Sequence, residues 1–270
     1  MIKQNLHTHT LYCDGKDTCE DLIKAAITGG FSSIGFSGHG YTPTDTSYCM
    51  SPENTKKYLE EINALKEKYD GKINVYKGIE ADLQSEINKA DFDYIIGSVH
   101  YIPYQDEYLP VDLSAEETKK IINRCFGGKA MAYARAYYDE VKKLPSVTDC
   151  DILGHFDLVT KFSRYIPELD TSSKEYITYA LDAVQAVSKK IRVFEVNTGA
   201  MSRGYTTAPY PALNILKEMR FCGMKPIISS DCHSCEHLDY GFDTAKELLK
   251  EAGYKEMLYF VDNEFKEYPL

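Results

Sequence analysis

The chain has no tryptophan and only six arginines, and its 31 basic residues are outnumbered by 41 acidic ones over 270 positions. A net charge of −10 argues against a nucleic-acid partner, because phosphate backbones are captured by surplus lysine and arginine. It does not argue against a phosphate ligand, since a divalent ion held by carboxylates is locally positive. No stretch approaches the roughly 20 apolar residues of a membrane span, and the start, Met1 to His7, lacks the apolar run of a secretory signal. A cytoplasmic protein without a membrane partner is expected. The eight cysteines are scattered, so free thiols are expected rather than disulfides. Cys232 and Cys235 have the spacing of half a zinc knuckle, but no second pair exists to close a four-ligand site. Tandem repeats, low-complexity tracts and linkers are also missing.

What is present is an alternation of short apolar, β-rich runs with amphipathic stretches, the pattern of a parallel sheet built from β-α units. The runs at 3–9, 33–37, 74–79, 94–99, 151–153, 192–196, 226–229 and 257–261 are the expected strands. Between them lie helix signals. Thr18 precedes an acidic first turn and an apolar run that Gly29-Gly30 stops. Ser51-Pro52 is a cap followed by proline at the first helical position, and Ser114 to Glu117 has the form of a capping box. Further helices are expected over about 173–190, 211–220 and 244–252. The tail, 254–270, offers one more strand that could complete a barrel or cover an edge.

Nearly every expected strand ends in a residue able to bind a metal: His7, His9, His39, Glu80, His100, His155, Glu195, Asp231 and His233. In a β/α barrel the C-terminal strand ends converge on one face, which carries the site. Each residue alone reads as an ordinary buried polar group; together they read as ligands. His7 and His9, two apart on a strand, face the same way and can reach one ion. Imidazole and carboxylate ligation suits Zn, Mn or Fe, and the donors exceed what one ion uses, so two or three ions are expected.

The ordered series His7-Thr-His9-Thr, Asp14-Gly, Ser37-Gly-His39, Gly78-Ile-Glu80, Gly97-Ser-Val-His100, Gly154-His155-Phe-Asp157, Glu195-Val-Asn197 and Ser230-Asp231-Cys-His233 resembles the PHP (polymerase and histidinol phosphatase) family. Its histidinol-phosphate phosphatase branch is the closest in pattern. The resemblance implies a distorted (β/α)7 TIM-like barrel, a single domain over 1–270 with a helical insertion at about 114–145, and a trinuclear centre at the C-terminal strand ends. It assigns His7 and His9 to one ion with Asp231 assisting. Glu80 then bridges to a second ion on His100 and His155, and Asp14, His39 and His233 hold a third. Glu80, Asp231 and His233 are the expected catalytic residues, and Glu195 and Asn197, at the right strand end, either touch metal or orient a ligand or the substrate. Arg164 and Arg203, on expected loops of the metal face, match positions where such phosphatases bind phosphate. Two residues depart from the family pattern: Asn5 stands where Asp is frequent, and Cys232 where Ala is common.

The implied activity is hydrolysis of a small phosphate monoester, L-histidinol phosphate, in histidine biosynthesis. Divalent ions suit it, because they activate water and neutralise phosphoryl charge in a reaction that is very slow uncatalysed. The alternatives are a phosphodiesterase or nuclease on the same centre, and a non-catalytic metal-binding protein. A metal amidohydrolase lacks its carbamylated-lysine signature here. The tyrosines at 133, 137 and 138, at helical spacing, read as packing, and Arg135 reads as surface.

Overall fold

Seven parallel strands wind round one barrel in chain order. They are β1 (Gln4–Asn5), β2 (Ser33–Phe36), β3 (Asn74–Ala81) and β4 (Tyr94–Gly97), followed, after a hairpin of β5 (Tyr101–Tyr104) and β6 (Glu107–Pro110), by β7 (Ile152–Leu153), β8 (Val193–Asn197) and β9 (Lys225–Ser229). The structure, a computed structural model, describes residues 2–270. Each strand pairs with the next, and the ends of β1 and β9 meet through Thr8 and Cys232. There the His9 N–H donates to the Cys232 carbonyl at 2.9 Å. Asn5 braces this seam, its Nδ2 donating to Ser230 Oγ (2.7 Å) and to the Leu238 carbonyl (3.1 Å). An ionised Asp has no donor for either bond, which gives the departure at Asn5 a physical reason.

The helices follow the cap chemistry of the sequence. In α1 (Cys19–Thr28) the Thr18 side chain accepts from the Asp21 N–H. Ser51 does the same for α2 (Pro52–Lys68), with Pro52 at the first position. Ser114 caps α3 (Ala115–Phe126), which ends at Gly127 in the left-handed region. Next come α4 (Ala130–Val141) and the short α5 (Leu144–Val147), so three helices stand between β6 and β7 where the insertion is expected. The barrel is completed outside by α6 (Lys174–Val187), the short α7 (Gly199–Ser202), α8 (Leu213–Phe221) and α9 (Phe242–Glu251). No helix of the described residues is long and apolar enough to cross a membrane.

The three tyrosines of α4 are buried packing, as their spacing suggests. Tyr138 and Tyr176 share a hydroxyl–hydroxyl bond of 2.6 Å, and Tyr137 donates to the Phe156 carbonyl at 3.1 Å. The first bond ties α4 to the helix over 174–187, and the second ties it to the chain beside His155. Arg135 is exposed and faces Asp139 on its own helix.

The tail neither joins the barrel nor covers an edge. β10 (Glu256–Val261) pairs antiparallel with β11 (Glu264–Pro269), and Leu258 and Phe260 plug the barrel's interior layer of Leu6, Tyr76, Tyr94, Ile96 and their neighbours. Gln4 fastens the plug: its Oε1 accepts from the Phe260 N–H and its Nε2 donates to the Phe260 carbonyl, both at 2.8 Å. Tyr94 crosses the barrel to donate to the Leu6 carbonyl at 2.5 Å. It fits because Gly35 and Gly78 leave room: a Cβ there would lie 2.3 and 2.2 Å from the phenol. With that end sealed, the opposite end, where the strands finish, is left open for chemistry.

Candidate metal centre

Glu80, next to last on β3, is the hub. Its Oε2 lies 2.9 Å from His39 Nδ1, 3.3 Å from His7 Nε2 and 3.6 Å from His9 Nε2. Its Oε1 lies 2.9 Å from His155 Nε2 and 3.7 Å from His100 Nε2, and accepts from Ser98 Oγ at 2.6 Å. Asp231 Oδ1 stands 3.2 Å from His9 Nε2 and 3.6 Å from His7 Nε2. Asp14 reaches His233 Nε2 at 3.2 Å and His9 Nδ1 at 3.5 Å. All nine residues expected as ligands are thus brought together at one end of the barrel.

Seven of the nine supply three overlapping groups, each compact enough for one ion: His9, Asp14, His39 and His233; His7, His9 and Glu80; His39, Glu80 and His100; His155 and Asp231 stand beside them in none of the three. The groups share His9, His39 and Glu80, whereas the family-implied division gives each histidine to one ion. Buried polar atoms normally have hydrogen-bond partners. Here His7 Nε2, His9 Nε2, His39 Nδ1, Glu80 Oε2 and His155 Nδ1 make no well-oriented hydrogen bond among the described residues, although His39 Nδ1 and Glu80 Oε2 lie 2.9 Å apart. Buried polar atoms packed this closely without well-formed bonds cost several kcal/mol unless cations lie among them. The residues fit divalent metal ions. Cys232 and Cys235 belong to none of these groups among the described residues and are free thiols.

Electrostatics agree with that fit. Burial alone would lower the pKa of His7, but Glu195, Glu80 and Asp231 outweigh it and raise it well above the ordinary value. Burial also works against His100, and Asp82 and Glu80 push it up to about 10. His9 goes the other way, to about 3, through burial and the neighbouring His233 and His39. Burial would raise Glu80, yet His7, His39, His100 and His155 hold it well below the carboxylate range.

Glu195 fixes the orientation of the His7 ring. It accepts from His7 Nδ1 (2.8 Å), the His155 N–H (2.6 Å), Asn197 Nδ2 (2.9 Å) and Ser229 Oγ (2.6 Å), which uses both oxygens fully. Asp82 does the same for His100 and had no role in the sequence reading. A signal was there: Asp82 lies two residues beyond Glu80, just past the end of β3. Metal-bound histidines usually need such a carboxylate at the other ring nitrogen. Asp231 has a φ of 46°, a left-handed conformation that costs of the order of 1–3 kcal/mol and tends to mark functional positions.

Above the centre lies a cavity of about 360 Å³. Arg203 lines it, with Nη2 donating to Asp231 Oδ2 at 3.1 Å and Nη1 to the Asp231 carbonyl at 3.2 Å. Gly199 permits that pair, because a Cβ there would lie 2.8 Å from Asp231 Oδ2. Arg164 is not brought in. Its guanidinium packs on the Tyr165 ring at 4.5 Å and donates to the Gly204 carbonyl at 2.8 Å, beside a neighbouring cavity. Three residues earlier, the buried Lys161 does line the central cavity, its Nζ donating to Asp112 Oδ2 at 3.0 Å. Nothing in its sequence context set it apart from other lysines. Asp157 lies behind, accepting from the Ala212 N–H at 3.0 Å, its carboxyl pushed up to about 7 by burial.

Comparison with known proteins accords with this geometry. The chain is 28% identical to a protein named probable histidinol-phosphatase from Schizosaccharomyces pombe, over 92% of this chain and 86% of that one. Its fold matches a histidinol phosphatase from Listeria monocytogenes with a TM-score of 0.76 at 22% identity, covering 90% of this chain and 99% of that chain. It also matches the Lactococcus lactis histidinol phosphate phosphatase, solved with Zn, L-histidinol and phosphate, with a TM-score of 0.69 at 21% identity over 98% of both chains. The PHP domain family matches residues 5–199. The chain belongs to the PHP domain family.

Proposed function

We propose that this protein is a metal-dependent phosphoric monoester hydrolase that converts L-histidinol phosphate to L-histidinol and phosphate, a step of histidine biosynthesis. One observation carries the reading: imidazole and carboxylate atoms without well-formed hydrogen bonds form the floor of a cavity whose walls hold two cations, Arg203 and Lys161. Each of these cations is paired with a carboxylate, Asp112 or Asp231, so metal ions on the floor would supply the positive charge that favours a phosphate at a site inside an acidic chain. The histidinol-phosphatase names of relatives that align over nearly the whole chain support the substrate. The cytoplasm is the compartment this role suggests, and the same reading takes the chain as one domain with α3 to α5 as an insertion.

In this reading His7, His9, Asp14, His39, Glu80, His100, His155, Asp231 and His233 hold two or three ions of Mn, Fe or Zn. Bound there, such ions supply positive charge that activates water and neutralises the phosphoryl oxygens. The protein's own part is placement. Glu195 and Asp82 fix the ring orientation of His7 and His100, so that their remaining nitrogens point at the floor. Arg203, whose Nη1 and Nη2 are held by Asp231, has N–H groups beyond those two bonds for the phosphoryl group. Lys161, rather than Arg164, is the second cation within reach. Leu158 and Leu113 line the cavity with these polar groups and limit the water around the ester.

Phosphate release from L-histidinol phosphate, compared with an oligonucleotide diester, with Mn and with chelator, tests the reading. Chelator-sensitive preference for histidinol phosphate is expected. Preference for the diester overturns the substrate, and metal binding without turnover on either overturns the enzyme.

A further inference from the structure

Beside the central cavity lies a second one of about 380 Å³, walled by the chain that follows β7, from Asp157 to Thr171, and by the chain that follows α7, from Tyr205 to Ala212. No step of the proposed reaction uses it. At its base two polar side chains are almost fully buried, Asp157 (2% exposed) and Tyr210 (4%). Asp157 Oδ2 accepts the Ala212 N–H at 3.0 Å, but Oδ1 makes no hydrogen bond among the described residues, and neither does the Tyr210 hydroxyl. Buried polar atoms are rarely left so, and in a cavity wall they mark where a ligand can bond.

The charges of this cavity are also unmatched. Asp157 makes no ion pair among the described residues; its one side-chain partner is the Ala212 amide. Arg164, exposed at the rim, makes none either. Its Nη2 donates to the Gly204 carbonyl and the Tyr165 hydroxyl, which leaves Nε and Nη1 without partners among the described residues. The third charged group, Lys161, is already paired with Asp112. One anion at the base and one cation at the rim therefore face the same space without reaching each other. A zwitterion can serve both, with an ammonium at the buried carboxylate and a carboxylate at the guanidinium. Tyr176, Tyr205 and Tyr210 line the space between, and such rings suit a cationic nitrogen and a planar side chain.

We infer that this second cavity binds an α-amino acid with a planar side chain, its ammonium on Asp157 and its carboxylate on Arg164. The site is linked to the metal centre by two routes. Lys161 and Tyr205 line both cavities, with Lys161 Nζ 5.0 Å from the Tyr205 ring centroid. The Tyr210 backbone exchanges two hydrogen bonds of 2.9 Å with Asn197, whose Nδ2 donates to Glu195. Occupancy therefore bears on groups that surround the ester, a consequence that rests on the phosphatase reading, whereas binding itself does not.

Calorimetry on the metal-loaded protein tests the site with L-phenylalanine and L-histidine, each beside its decarboxylated counterpart, phenethylamine or histamine. An amino acid that binds should bind roughly ten- to hundredfold more tightly than its counterpart, the difference expected for one charge-assisted hydrogen bond. Arg164→Ala, at an exposed position where folding is not at risk, should weaken the amino acid by a similar factor. Asp157→Asn, which keeps the acceptor for the Ala212 N–H and removes the charge, should weaken it too. Failure of both amino acids to bind at millimolar concentration overturns the site. Undiminished binding by Arg164→Ala also overturns it, since capture by the metal centre would give that result. In turnover, the bound amino acid should change the KM of a phosphomonoester for the unsubstituted protein and not for Arg164→Ala; binding with an unchanged KM overturns the link to the centre. A protein that binds the amino acid and hydrolyses no phosphate ester overturns the phosphatase reading and leaves the site standing.

Discussion

Asp82 grips His100 at two points: its Oδ2 lies 2.9 Å from the ring Nδ1, and its Oδ1 accepts the His100 N–H at 2.8 Å. The ring is thereby turned so that Nε2 faces Glu80, 3.7 Å away. Orienting carboxylates of this kind commonly contribute 10–100-fold to metal affinity. Asp82→Asn, which keeps the shape and changes the acceptor, should weaken the metal bound with His100 by roughly that factor. Competition against a graded chelator reads it directly; equal affinities would leave Asp82 with a purely structural part.

The two cations of the cavity should separate from the arginine outside it. Arg203→Ala is expected to lower kcat/KM for a phosphomonoester by about 10²–10³, the scale seen when a preorganised donor is lost. Lys161→Met should raise KM, while Arg164→Ala should change it less than about threefold, since its partners are Tyr165 and the Gly204 carbonyl. Steady-state kinetics on the three variants test this, and a large effect at Arg164 alone would invert the assignment.

Metal uptake should release protons. In the metal-free chain the neighbouring carboxylates outweigh burial and raise both His7 and His100, the latter to about 10, a shift that favours the protonated imidazole. A ligating nitrogen must lose its proton, and affinity should therefore fall as pH is lowered. Titration calorimetry in buffers of different ionisation enthalpy counts the protons. Chelation should also lower the melting temperature, because the ions bind only the folded cluster.

The β10–β11 plug is predicted to matter for stability more than for chemistry. Phe260 is buried against Tyr76 and Tyr94 at ring distances of 4.9 and 5.7 Å. Phe260→Ala should cost about 3–5 kcal/mol, as large-to-small core changes do. Denaturant unfolding would show it. The KM of the folded fraction should stay the same, because the plug and the metal centre occupy opposite ends of the barrel.

Strand and helix placement was largely legible, and the reasons are local. Apolar runs such as 94–99 and caps at Thr18, Ser51 and Ser114 act over a few residues, so sequence spacing carries them. The β5–β6 hairpin was missed because Tyr101 to Pro110 mixes tyrosine, proline and acidic residues without a two-residue periodicity. The tail's role was left open because one strand reads alike whether it extends a barrel or plugs it. Its partner contacts, Gln4 with Phe260, span 256 positions.

The sequence by itself determined which residues could hold metal and that they would meet, since parallel strands point their C-terminal ends the same way. It also determined the charge paradox, an acidic chain with the chemistry of a phosphate site. Only the tertiary structure decided how the ligands are shared, with His9, His39 and Glu80 each in two groups. It likewise decided that Lys161 and not Arg164 enters the cavity, and that Asp82 and Glu195 orient their histidines. Those outcomes depend on where side chains from separate loops turn after packing, and no spacing along the chain encodes that direction.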